Sequence, residues 1–134
     1  MTNKKEKIII IDSHALIHRA YHALPPLTSP QGENVNAVYG FASVLLRVIK
    51  ELKPDYVVTA FDSAGKTFRH KEFVEYKAKR PMVDDDLINQ FPKSRELAEA
   101  FGIPVLAKTG YEADDIIGTV VEKLKSKKNL LKII

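Results

Sequence analysis

The chain of 134 residues contains no cysteine, which excludes disulfides, thiolate metal sites and cysteine nucleophiles outright. It also lacks any apolar run near the roughly 18 residues a membrane span requires. Its start, Met1-Thr2-Asn3-Lys4-Lys5, is basic, but the apolar stretch behind it, Ile8 to Ile11, is far shorter than the core of a secretory signal, about 7–15 residues. No internal repeat, linker or low-complexity tract is visible, so one domain is the economical reading. Three catalytic signatures are missing as well. Ala64-Gly65-Lys66-Thr67 resembles the tail of a phosphate-binding loop, but position 60, where the first glycine is needed, holds Ala60. His14, His18 and His22 share a helical stripe without the glutamate or fourth ligand that zinc requires. No serine has the context of a hydrolase nucleophile. Together these features favour a soluble cytoplasmic protein with no membrane partner; a monomer is expected.

What is present is ordinary globular composition, 45% hydrophobic and 28% charged, with a formal net charge of +4. The excess is mild, and its distribution says more than its size. Lys66, Arg69, Lys71, Lys77, Lys79 and Arg80 face only Glu72 and Glu75 over residues 66–80. A second cluster, Lys123, Lys125, Lys127 and Lys128, reads as a solvated helix end favoured by the helix dipole.

Hydrophobic periodicity predicts alternating elements. Ile8–Ile11 reads as a buried parallel strand ending at Asp12, and residues 13–23 as a short helix stopped by Pro25-Pro26. A long amphipathic helix follows from about Asn36 to Leu52, with Val38, Phe41, Ala42, Leu45, Val48, Ile49 and Leu52 as its apolar stripe. Tyr56–Phe61 is a second strand, ended by Asp62. Asp84-Asp85-Asp86 charges the start of another helical region, interrupted near Pro92 and closed at Phe101-Gly102. Ile103–Ala107 is a third strand, Tyr111–Lys125 a helix with Ile116, Ile117, Val120, Val121 and Leu124 inward, and Leu130–Ile134 a fourth strand. The fold class predicted is α/β, a mostly parallel sheet with helices on both faces. The apolar end is read as the interior of a longer domain, of which residues 1–134 are the N-terminal part.

Two strands end in aspartate, Asp12 and Asp62, and ligands of open α/β sheets bind beyond the carboxyl ends of strands. Glu112, Asp114 and Asp115 open the last helix at the same sheet edge. Each has a structural alternative. Asp12 can cap the next helix, Asp62 can be a turn residue, Thr109 and Glu112 fit a capping box, and Asp114 and Asp115 suit the helix dipole. Taken jointly, five converging carboxylates repel one another unless cations neutralise them. An all-carboxylate site selects hard cations such as Mg²⁺ or Mn²⁺, and two such ions about 4 Å apart serve phosphodiester hydrolysis. The basic stretch complements this reading: Phe68-Arg69-His70 and Tyr76-Lys77-Ala78-Lys79-Arg80 place aromatics that stack on unpaired bases among cations that hold phosphates. Its alternative is a solvated loop.

The chain resembles the 5′–3′ exonuclease domain of bacterial DNA polymerase I, within the wider flap endonuclease family. The runs that carry the resemblance are Ile11-Asp12, Arg19-Ala20-Tyr21-His22-Ala23-Leu24-Pro25-Pro26-Leu27, Ala37-Val38-Tyr39-Gly40-Phe41, Phe61-Asp62, Thr67-Phe68-Arg69-His70, Tyr76-Lys77 with Arg80-Pro81, and Gly110-Tyr111-Glu112-Ala113-Asp114-Asp115-Ile116-Ile117-Gly118. The resemblance implies a PIN-like fold and two-metal hydrolysis, by Mg²⁺ with Mn²⁺ as substitute, of 5′ flaps, nicks and RNA primers in DNA replication and repair. It gives metal roles to Asp12, Asp62, Glu112, Asp114 and Asp115, and places Lys77 and Arg80 at the scissile phosphate. Tyr76 takes a place near the unpaired terminal nucleotide, and Arg19, Tyr21, Lys66, Arg69 and Lys79 fall among nucleic-acid contacts. A helical arch over about Glu72 to Arg95 is implied for passage of the 5′ strand. Two departures stand out. Ser13 occupies a position that is usually glycine in the family. The chain also ends before a further strand-end Asp-Lys-Asp element and a helix-hairpin-helix region, so weak or no cleavage is expected of it alone. The alternatives are a nucleic-acid-binding fragment that does not cut and a marginally folded remnant.

Overall fold

The computed structural model describes residues 6–62, 85–107, 111–124 and 129–134. Four strands, β1 (Glu6–Asp12), β2 (Tyr56–Ala60), β3 (Val105–Leu106) and β4 (Asn129–Ile133), form one sheet in the order β3-β2-β1-β4. All three pairings are parallel. The helices are α1 (Ser13–Ala23), α2 (Asn36–Arg47) with a π-helical turn at Val48–Leu52, α3 (Asp85–Ile88), α4 (Gln90–Ala100) and α5 (Ala113–Leu124).

The four isoleucines of β1 are all buried and are divided between two cores, because successive strand side chains point to opposite faces. Ile9 and Ile11 pack with Leu16 and Ile17 of α1, Phe41 and Leu45 of α2, Leu87 of α3 and Ala98 of α4. Ile8 and Ile10 pack with Ala60, Ala113 and Ile117, where Val120, Val121 and Leu124 of α5 join them. Each isoleucine, leucine or phenylalanine among them contributes about 1.5–3 kcal/mol by leaving water. The sheet is therefore covered on both faces, as the alternation of elements predicts.

Three local expectations are corrected. The long helix changes to π geometry after Arg47, and this turns Ile49 of the expected stripe outward, 41% exposed. The break expected near Pro92 falls at Asn89, between α3 and α4. Pro92 is the third residue of α4, where the missing N–H would have no intrahelical partner, so proline is tolerated there. The third strand shortens to Val105–Leu106. Gly102 does close α4, with φ +77° and its N–H donated to the Glu99 carbonyl.

Helices α1 and α2 are pressed together at Gly40. A Cβ placed there lies 2.5 Å from Ala20 Cβ and 3.1 Å from Leu24 Cδ1. Ala20 cannot swing away, so the helices themselves must separate. Gly40→Ala is expected to lower stability by about 1–2 kcal/mol, overpacking outweighing the gain in helix propensity. Ala20→Gly in the same chain should recover part of the loss, as read by thermal melts of the four variants.

Candidate carboxylate site

Asp12 is the last residue of β1 and pairs with Ala60 of β2, so Asp62, two residues further on, lies off the same edge of the adjacent strand. The parallel register brings together carboxylates from distant stretches of the sequence. The helix that opens at Ala113 starts at this edge too. Asp62 Oδ1 accepts the Ala113 N–H at 2.6 Å, satisfying a donor that the first turn of α5 leaves without an intrahelical partner.

Asp12 serves two purposes at once. Its Oδ1 accepts the Ala15 N–H at 3.3 Å, so it is the N-cap of α1. Its carboxyl is held above the ordinary carboxylate range, first by burial, against which the Ala15 hydrogen bond works, and then by the negative charges of Asp114 and Asp62. Asp62 and Asp114 thus lie within electrostatic reach of Asp12. Glu112 is nearly buried, at 5% exposure. Asp115 turns back on its own helix, its Oδ2 accepting the Glu112 N–H at 2.9 Å. That bond is one half of a capping box, and the Asp115 N–H goes to the Glu112 carbonyl instead; Thr109 lies outside the described residues.

The donor set is all oxygen, which suits hard cations that keep much of their water and take one or two carboxylates from the protein. Among the described residues no three acidic or histidine side chains already surround a single ion position. Asp12 and Asp62, with Asp114 nearby, fit a hydrated ion better than a fully protein-built cage. Removing the Asp12 charge should relieve the metal-free chain. Asp12→Asn keeps an N-cap and is expected to raise the melting temperature without divalent ions by a few degrees. It should also diminish any rise on adding Mn²⁺. A lower metal-free melting temperature would contradict the repulsion inferred here.

A cavity of about 460 Å³ between β3 and α5 is lined by Val105, Leu106, Tyr111, Asp115, Ile116 and Lys123, among others. Neither Asp12 nor Asp62 forms part of its wall. Of the remaining residues singled out by sequence, Arg19 is exposed on α1 and Tyr21 is half-buried, edge-on to His22. Lys66, Arg69, Tyr76, Lys77, Lys79 and Arg80 lie outside the described residues, as does the implied arch up to residue 84; its remainder is α3 and the first half of α4. Among the described residues no helix is long and apolar enough to cross a membrane.

Two residues have roles that the sequence does not reveal, His14 at the site and Gln90 away from it. His14 belongs to the stripe considered for zinc, yet its ring stacks on Phe91 at 4.3 Å and its Nδ1 accepts the Asp62 N–H. Gln90 is fully buried between α2 and α4. Neither could be found without knowing which distant segments meet.

The structure thus defines a parallel α/β domain with aspartates gathered at adjacent strand ends. Residues 7–134 match the family described as 5′-3′ exonuclease, N-terminal resolvase-like domain, and the chain belongs to that family. It is 44% identical over 120 residues to DNA polymerase I of Caldicellulosiruptor bescii, covering 90% of this chain and 14% of that protein. It is 40% identical over 126 residues to the 5′-3′ exonuclease of Aquifex aeolicus, covering 94% of this chain and 44% of that one. The chain therefore spans less than half the length of these relatives. The fold is that of bacteriophage T5 5′-exonuclease, solved with bound zinc, at TM-score 0.72 and 16% identity, with 96% of this chain and 48% of that chain covered. A T5 flap endonuclease solved as a pseudo-enzyme-product complex with DNA and metal ions is similar at TM-score 0.68 and 16% identity, covering 96% of this chain and 48% of that one.

Proposed function

We propose that this chain is the N-terminal part of a structure-specific 5′ nuclease of DNA replication and repair, dependent on Mg²⁺ with Mn²⁺ able to substitute. The substrates are DNA 5′ flaps, nicks, single-stranded 5′ ends and RNA primers, and the working form is a cytoplasmic monomer. The observation that carries this reading is the position of Asp12 and Asp62 at the ends of neighbouring parallel strands, with Asp62 and Asp114 close enough to raise the Asp12 carboxyl. Family membership supports it, as do the names of relatives that include DNA polymerase I and 5′-3′ exonuclease.

In this reading Asp12, Asp62, Glu112, Asp114 and Asp115 would hold the divalent ions, two in the complete domain. Bound divalent ions supply an activated water and neutralise the charge that builds on the phosphate. The protein's own part is to orient and to grip. Asp12 and Asp62 are fixed by backbone donors, Ala15 and Ala113, so they need little reorganisation when an ion arrives. Lys77 and Arg80 would stabilise charge at the scissile phosphate. Arg19, Tyr21, Lys66, Arg69, Tyr76 and Lys79 would hold backbone phosphates and stack unpaired bases.

The test is a fluorescent 5′-flap DNA. Binding should weaken steeply with salt, because phosphate contacts release counterions. Cleavage, slow in this part-length chain, should need Mg²⁺ or Mn²⁺ and stop with a chelator. Cutting that survives chelation defeats the metal reading. Salt-sensitive binding without any cutting leaves the alternative of a non-catalytic binding fragment.

A further inference from the structure

We propose that His14 is a positioning residue for Asp62, holding the carboxylate and its backbone in the orientation that receives a divalent ion. The inference rests on the ion-binding reading above.

The main-chain bonding of β2 into the sheet continues to Phe61, whose N–H is donated to the Leu106 carbonyl at 3.0 Å. The next donor along the chain, Asp62 N–H, has left the sheet and goes to His14 Nδ1 at 3.2 Å. A nitrogen that accepts a hydrogen bond carries no proton, so the neutral ring has its hydrogen on Nε2. That nitrogen faces the same residue's side chain, 3.6 Å from Asp62 Oδ2. At this distance the contact is electrostatic rather than a direct hydrogen bond. One imidazole therefore addresses both the main chain and the side chain of a single aspartate. The other carboxylate oxygen, Oδ1, is already committed to Ala113 N–H. Oδ2 is the oxygen on which His14 acts.

The ring is itself locked. Phe91 of α4 stacks on it at 4.3 Å with planes 16° apart, and Phe61 meets it edge-on at 5.8 Å and 81°. His14 sits two residues beyond Asp12 at the start of α1, so α1, β2 and α4 jointly fix where Asp62 points. Packing alone would need only an aromatic ring. The two nitrogens, each directed at a polar atom of Asp62, are what a phenyl ring cannot supply. Groups that orient a metal-binding carboxylate in this way change ion affinity by about 10–100-fold when lost.

The experiment measures Mn²⁺ affinity from the spin-resonance signal of free Mn²⁺, with metal-free thermal melts as the check on folding. His14→Phe keeps the stack on Phe91 and removes both nitrogens; it is expected to fold and to bind Mn²⁺ about 10-fold more weakly. His14→Asn places an amide oxygen where Nδ1 was, so it should recover part of that loss. Should His14→Phe not fold, Phe91→Leu serves in its place, since unlocking the ring should weaken Mn²⁺ binding in the same direction by about threefold. Affinity of folded His14→Phe within twofold of the unaltered chain, while Asp62→Asn abolishes binding, overturns the role of His14 and leaves the ion site standing. No Mn²⁺ binding by the unaltered chain overturns the ion site itself, and the His14 proposal with it.

Discussion

Asp62→Asn is expected to leave the fold intact and remove the response to divalent ions, whereas Asp62→Ala should lose the response and stability together. The difference follows from the two tasks of one side chain. Its Oδ1 accepts the Ala113 N–H at 2.6 Å and so completes the start of α5. An asparagine oxygen can accept that bond; alanine cannot, and loss of a side-chain cap costs about 0.5–2 kcal/mol. Neither substitute carries the negative charge that a cation needs. The unaltered chain in Mn²⁺ at 100 times its dissociation constant should gain about 2.7 kcal/mol. Both variants should gain little or nothing. On 5′-flap DNA both should cut about a thousandfold more slowly, equivalent to about 4 kcal/mol of lost transition-state stabilisation. Thermal melts with and without Mn²⁺ distinguish the two tasks. Equal stability of the two variants would show that the Ala113 bond contributes nothing.

The second large effect lies away from the carboxylates. Gln90→Leu is expected to lower stability by about 3 kcal/mol, near 10 °C of melting temperature in a domain of this size. The Gln90 amide is fully buried. Its Oε1 accepts the N–H groups of Ala37 and Val38 at 2.7 and 3.1 Å, which are first-turn donors of α2. Its Nε2 donates to Asn36 Oδ1 and to the Asp86 carbonyl, both at 3.1 Å. Asn36 in turn donates to the carbonyls of Tyr21 and Leu24 at the end of α1. One amide thus caps α2 and joins it to α3 and α4, with Asn36 extending the network to α1. Leucine matches its size but strands polar groups where water cannot reach them. Because α4 also carries Phe91, which holds His14, the loss should extend to Mn²⁺ affinity. Denaturant melts and Mn²⁺ titration of the same variant read both. A loss below 1 kcal/mol would mean that the buried amide network carries little of the fold.

The sequence was most readable where one periodicity repeats over many residues. The isoleucine run of β1 and the apolar stripe of α5 appear where the pattern places them. It was least readable where geometry departs from a regular helix or strand. The π-helical turn after Arg47 exposes Ile49, and no residue type marks that change. At the site, Asp12 and Asp62 were legible because a strand-end aspartate in a parallel sheet has one place to go. Glu112 and Asp115 were legible as a group but not in their division of labour. Whether an acid caps its own helix or faces a neighbour depends on a side-chain torsion that spacing does not encode. His14 and Gln90 were illegible, since their meaning lies in partners on segments far along the chain.

Local pattern therefore determined the class of fold and the alternation of strands and helices, since burying apolar side chains at a period of 2.0 or 3.6 leaves few arrangements; the family was legible in particular residue runs such as residues 110–118. Only the tertiary structure decided which donors hold Asp12 and Asp62, that Asp115 caps its own helix, and that one histidine and one glutamine join the elements around them. Those choices belong to hydrogen bonds and ring contacts a few ångströms long between stretches that the parallel register, not the sequence order, makes neighbours.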